Sequence, residues 1–160
     1  MSSRVCMRPR TLVIAIVAVL ATAVALAAST QTRGSAPPKP QSAAAVLGGT
    51  SWQLVKFESG QGKTFLPDDR TKYTVAFAAD GTLAVRVDCN RGTGTWKSPA
   101  AGQITFGPLA LTRAACPEGS MHDQIVKNWS LIRGYVIQDG NLYLSLSADG
   151  GIYEFEKYGG

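Results

Sequence analysis

The chain has 160 residues, 45% of them hydrophobic, with a formal net charge of +5 and a pI near 9.3. That length allows one domain with a single modest core. The basic excess does not indicate a nucleic-acid partner: Arg4, Arg8, Arg10, Arg33 and Lys39 supply it ahead of the folded part, and the remainder balances acids with bases and carries no basic stripe.

Residues 1–28 have the pattern of an export signal. Arg4, Arg8 and Arg10 stand unopposed by acid, Thr11 to Thr32 is free of charge, and Ala25-Leu26-Ala27 offers an Ala-x-Ala cleavage site. The apolar run also reaches the roughly 20 residues a membrane-spanning helix needs, so a retained N-terminal membrane anchor is the competing reading. In both cases the arginines stay inside and the domain leaves the cytoplasm. The expected location is periplasmic or secreted, with a tether to the inner membrane if the helix is uncleaved. Residues 29–45, with Pro37, Pro38 and Pro40 among Ser, Ala and Lys39, hold too few large apolar side chains for a core and read as a Pro/Ala/Ser-rich linker.

The folded domain is expected over 46–160. Trp52 to Phe57 reads as a first strand in which Trp52, Leu54 and Lys56 alternate with Gln53, Val55 and Phe57. Gly60-Gln61-Gly62-Lys63-Thr64 resembles the end of a phosphate loop, but Phe57 stands where the first glycine belongs and Pro67 blocks a following helix, so it reads as a hairpin turn. Asp68-Asp69 are expected to cap the next turn. Tyr73 to Phe77 and Thr82 to Val87 form a hairpin about Asp80-Gly81. Its second strand delivers Asp88-Cys89-Asn90-Arg91-Gly92-Thr93-Gly94-Thr95-Trp96, in which Gly92 and Gly94 are expected to permit tight backbone geometry. Short strands follow at Gln103 to Phe106 and Leu109 to Leu111.

After Cys116-Pro117 the period changes. Met121, Ile125, Trp129 and Ile132 recur at helical spacing, with Asp123 and Lys127 placed to pair and Gly134 ending the helix. Strands return at Tyr135 to Gln138, Leu142 to Leu146 and Ile152 to Tyr158, and Leu142, Leu144 and Leu146 face one way. The expected fold class is α+β and mostly β: a curved antiparallel sheet or partly open barrel of about eight strands with one covering helix.

Three motifs carry a family resemblance. Leu47-Gly48-Gly49-Thr50-Ser51-Trp52, Cys89-Asn90-Arg91-Gly92-Thr93-Gly94-Thr95-Trp96 and Leu109 to Cys116-Pro117, together with a closing Leu142-Tyr143-Leu144 strand, resemble the META domain of the HslJ-like heat-shock protein family. The likeness runs from about Leu47 to Tyr158. The family motif residues are Trp52, Asn90, Arg91, Gly94, Trp96, Thr112 and Arg113. One departure is Asp88, where the family has glycine before the first cysteine. The resemblance implies a small β-rich domain of the envelope or exterior, linked to stress response, antibiotic tolerance or secretion, with no established catalytic reaction. A related fold in secretion pilotins holds lipid, which suggests a lipid-carrying groove by analogy.

The residues themselves leave several readings open. Cys89 and Cys116 are the two cysteines that survive signal removal, since Cys6 lies in the basic leader, and pairing them in an exported domain would staple its middle; free buried thiols are the alternative. A cysteine enzyme would use Cys116 as nucleophile, His122 as base and Asp88 or Asp123 as orienter. His122 is the sole histidine and is expected on the solvated helix face, so no catalytic residues are assigned. Two cysteines and one histidine lack zinc-site spacing, and neither a metal nor another cofactor is expected. Trp129, Tyr135 and Tyr143 are candidates to line a groove between helix and sheet for an acyl chain or a partner's segment. Asn90 and Thr112 are expected to hold loop backbone, and Arg91 and Arg113 could form a small anion-binding patch. The reading is therefore a non-enzymatic, monomeric binding module for an unidentified envelope protein or lipid.

Overall fold

In this computed structural model the described residues are 46–159; the expected signal or anchor and the linker lie outside them. The strands are β1 (Thr50–Ser59), β2 (Thr64–Phe65), β3 (Tyr73–Phe77), β4 (Thr82–Val87), β5 (Asn90–Lys97), β6 (Thr105–Phe106), β7 (Ala110–Leu111), β8 (Ile132–Gln138), β9 (Asn141–Leu146) and β10 (Gly151–Lys157), with the helix α1 (His122–Trp129) between β7 and β8. The strand order is β6-β5-β4-β3-β1-β10-β9-β8, and every pairing is antiparallel. The two ends of this order meet. Ile104 donates to the Arg133 carbonyl at 3.0 Å and Tyr135 donates to the Gly102 carbonyl at 2.9 Å, with Gln103 bridging Gly134. The sheet is thus a nearly closed barrel with one covering helix, as the pattern of short strands leads one to expect.

Alternation along the strands puts the large apolar residues inside. Tyr73, Val75 and Phe77 on β3, Leu83, Val85 and Val87 on β4, and Leu142, Leu144 and Leu146 on β9 are all buried. Turn chemistry sets the register of the hairpins. Asp139 and Gly140, both at positive φ, make the two-residue link between β8 and β9, and Asp80 accepts from the Thr82 amide at 2.8 Å beside Gly81. Asp69 caps the 3-10 turn Arg70–Lys72 by accepting from the Thr71 amide.

Two strands depart from simple alternation, and each corrects an expectation. Val55 is an extra residue in β1: Leu54 pairs with Phe155 and Lys56 with Glu154. The bulge reverses the phase, so Trp52, Leu54 and Phe57 point inward while Lys56 turns outward, not onto the face of Trp52 and Leu54. On β8, Arg133 is the extra residue, and the buried side chains are Ile132 and Tyr135. That three-residue spacing imitates a helix. The helix in fact ends at Trp129, Ile132 belongs to β8, and Gly134 lies within that strand, where a Cβ would sit 2.4 Å from the Ser145 hydroxyl.

The helix lies against Tyr73, Phe106 and Tyr153. The Met121 amide donates to the Tyr73 hydroxyl at 3.1 Å, the Trp129 ring stacks on Phe106 with centroids 4.5 Å apart, and the Trp129 indole donates to the Gly107 carbonyl at 3.0 Å. Asn128 donates to the Tyr153 hydroxyl at 3.0 Å, and burial pushes that phenol up to about 12. Asp123 bonds the His122 ring at 2.9 Å and is not ion-paired with Lys127.

Candidate functional site

The structure joins Cys89 to Cys116 in a disulfide, with Cα atoms 5.4 Å apart and a sequence separation of 27. The two ends of the bond arrive by different routes. Asp88 and Cys89 are the two turn residues between β4 and β5, whose flanking residues Val87 and Asn90 pair. Asp88 has φ 56, a backbone conformation that favours glycine, and it holds that conformation as a non-glycine residue. Its amide donates to the Lys72 carbonyl at 2.7 Å, and Arg86 donates to its carbonyl at 3.2 Å. Cys116 comes from the exposed strap that follows β7.

Asn90 joins the strap to the barrel. The residue is 1% exposed although it is polar. Its amide nitrogen donates to the Ala114 carbonyl at 3.0 Å and approaches both sulfurs, at 3.3 Å for Cys89 and 3.4 Å for Cys116. Its carbonyl oxygen accepts from the Ala114 amide at 2.8 Å and the Thr112 hydroxyl at 2.9 Å. The Thr112 hydroxyl in turn accepts from the Arg91 amide at 3.1 Å. One buried amide therefore satisfies both backbone groups of Ala114 and holds the strap where the disulfide crosses it.

Glycines make room for the strap's first residues. β7 pairs with β5 at Gly92 and Thr93, and a Cβ on Gly92 would lie 2.1 Å from the Ala110 carbonyl oxygen. A Cβ on Gly94 would lie 3.0 Å from a Leu109 methyl and 3.2 Å from the Pro108 carbonyl oxygen. Both glycines lie in regular strand and neither has positive φ, so close approach of a neighbouring chain, rather than an unusual turn, explains them. Trp96, buried beside them, donates to the Ala78 and Thr82 carbonyls and meets Phe77 edge-on at 5.3 Å. Trp52, also buried, donates to the Thr50 hydroxyl at 2.7 Å.

Thr112, the neighbour of Arg113, lies beside Arg91: its amide donates to the Arg91 carbonyl at 2.9 Å and its hydroxyl accepts from the Arg91 amide. Arg91 and Arg113 are exposed, and among the described residues neither forms an ion pair. Trp129 and Tyr135 belong to the core, whereas Tyr143 is on the outer face of β9, so the three do not line one groove. His122 is not on a solvated face: it is half-buried, spaced with Ile125 and Trp129, and its Nε2 is shut off from water without a partner. Cys116 is bonded to Cys89, so a nucleophilic role would require a reduced form. Among the described residues no group of three His, Cys, Asp or Glu side chains is placed to hold a metal ion. None of their helices is long and apolar enough to cross a membrane.

A nearly closed antiparallel barrel with a filled interior, one covering helix and a disulfide-pinned strap defines the class of small, stapled, β-rich domain. Within that class the chain belongs to the META-domain family, whose family model matches residues 45–157. In fold it is similar to a protein from Burkholderia xenovorans solved by NMR, with TM-score 0.61, 20% identity, and coverage of 78% of this chain and 94% of that one. It is also similar to a DUF4847 family protein from Bacteroides vulgatus, with TM-score 0.53, 14% identity, and coverage of 71% and 96%. A comparison with curated proteins finds no match.

Proposed function

We propose that this chain is an exported, non-enzymatic META-family module of the cell envelope, serving stress tolerance or envelope maintenance through surface binding. The observation that carries the reading is the disulfide between Cys89 and Cys116, a bond that persists in oxidising compartments, in a chain whose first residues have the charge and hydropathy order of an export signal. The barrel interior favours a surface role over lipid carriage. The void lined by Leu54, Val75, Val85, Ile125 and Trp129 amounts to about 20 Å³, whereas ligand pockets hold roughly 300 Å³ or more.

The test is the intact mass of the protein taken from cells, alkylated with and without prior reduction. A chain starting near Ala28, alkylated at its domain cysteines only after reduction, is the expected result. An uncleaved chain in the membrane fraction would make it a tethered module. Cytosolic protein with freely alkylated cysteines would overturn the proposal, and a stoichiometric acyl lipid extracted with the protein would replace surface binding with carriage.

A further inference from the structure

The outer face of β1, β10 and β9 carries a recess of about 380 Å³, within the size range of small-ligand sites. Its construction follows from the bulge at Val55. Because the phase of β1 reverses there, Lys56 and Glu58 project from the barrel on the same side as Ile152 and Glu154 of β10 and Tyr143 and Ser145 of β9. The end of the recess is bare backbone. A Cβ on Gly60 would meet the Asp149 carbonyl oxygen and a Cβ on Gly151 the Glu58 carbonyl oxygen, so larger residues cannot fill it.

The lining has an apolar surface and an acidic rim. Ile152 is 47% exposed, a large apolar side chain left uncovered, with Tyr143 on the same outer face; Leu146 reaches the recess only at its edge, being buried. Three carboxylates, Glu58, Asp149 and Glu154, line the same recess as one cation, Lys56. They are not equally occupied. Glu154 accepts from the Asn141 amide at 2.9 Å and the Tyr143 hydroxyl at 3.5 Å, and Lys56 lies 3.5 Å away. Among the described residues Glu58, half-exposed, has only the same Lys56 ammonium at 3.4 Å, and Asp149 has no ion pair. The unsatisfied charge is therefore negative and stands next to uncovered apolar surface.

We propose that this recess binds a small primary amine with an apolar body, the ammonium between Glu58 and Asp149 and the body over Ile152 and Tyr143. The assignment rests on the surface-binding reading above and gives it a ligand class. A carboxylate of the same shape meets uncompensated like charge, and an alcohol gains only the apolar contact.

The experiment is a titration of the isotopically labelled full chain, purified with its disulfide intact, with hexylamine, hexanol and hexanoate, followed by amide chemical shifts. Hexylamine should shift Lys56 to Gly60, Ser145, Leu146 and Asp149 to Glu154 saturably, about tenfold more tightly than hexanol or hexanoate, and weaken as salt is raised. Glu58→Gln with Asp149→Asn should remove the preference for the amine while leaving the remaining spectrum in place, and Ile152→Ser should weaken amine and alcohol together. Shifts that do not saturate, shifts spread over the whole surface, or equal response to the three probes would overturn the proposal. Such a failure leaves export and disulfide state untouched, because the mass measurement reads those independently.

Discussion

Replacing Asn90 with alanine is the sharpest probe of how the strap is held. The substitution removes the donor to the Ala114 carbonyl and the acceptor for both the Ala114 amide and the Thr112 hydroxyl. Each neutral hydrogen bond contributes about 1 kcal/mol net, so the three together set an expected loss of about 3 kcal/mol. Water can reach the exposed strap and recover part of this, which places the lower bound near 2 kcal/mol. Urea unfolding of the oxidised protein measures the loss directly, through the midpoint at unchanged slope. The strap should also open more often, so the disulfide should react faster with a small thiol reductant. Asn90→Asp should be worse than Asn90→Ala at neutral pH, since it turns a carboxylate toward the Ala114 carbonyl, and should recover as acid protonates it. A loss below about 1 kcal/mol for Asn90→Ala would refute the reasoning and leave the disulfide and β7 pairing as the whole attachment.

Other perturbations test separate parts of the fold. Replacing both Cys89 and Cys116 with alanine frees a loop closed across 27 positions and should cost about 3 to 4 kcal/mol, read from the shift of the urea midpoint. Gly92→Ala forces a Cβ onto the Ala110 carbonyl and should cost about 2 kcal/mol or more, while Gly94→Ala, facing a movable Leu109 methyl, should cost less; thermal melts rank the two. Acid should destabilise the domain through surface carboxylates. Asp68, Asp69 and Asp80 lie below their ordinary 3.8 because of hydrogen bonds from Lys72, Thr71 and Thr82 respectively, and Glu156 lies below 4.5 because of Arg70 and then Gln53. Folded-state values lower than unfolded ones stabilise the protein above the ordinary values, and that contribution is lost as pH falls through the depressed ones. Glu156→Gln should make the acid limb of a stability profile shallower, and an unchanged limb would show that this carboxylate contributes nothing.

Much of the fold is legible in the sequence because hairpins announce themselves through turn residues and alternation, as Asp139-Gly140 followed by Leu142, Leu144 and Leu146 does. The unreadable parts share a cause. Val55 and Arg133 each add one residue to a strand, so the buried pairs Leu54 and Phe57, and Ile132 and Tyr135, stand three apart. Period alone cannot separate such a bulge from a turn of helix. His122 could have been placed better, since it is spaced with Ile125 and Trp129. Tyr143 could also have been placed: it alternates with Leu142 and Leu144 and must face away from them. The role of Asn90 was legible only as loop support. Four of its five contacts depend on a strap that arrives from more than twenty residues away.

The neighbour relations of β1 govern the timing of assembly. This strand starts the described domain, yet one of its edges pairs with β10, the last strand. While the chain is being made, that edge waits until every other described strand has emerged. β3, β4 and β5, by contrast, are joined through successive short turns and hold Cys89 among them. The halves should therefore mature in sequence, with the loop between the cysteines closing first and the ring last, and with a folding rate limited by the search of β10 for β1. Refolding the reduced full chain in an oxidising buffer and trapping it at intervals would reveal that order: the Cys89–Cys116 bond should form before the amides of the β1–β10 pair are protected from exchange, and a bond that forms only after that protection would show that the ring closes first.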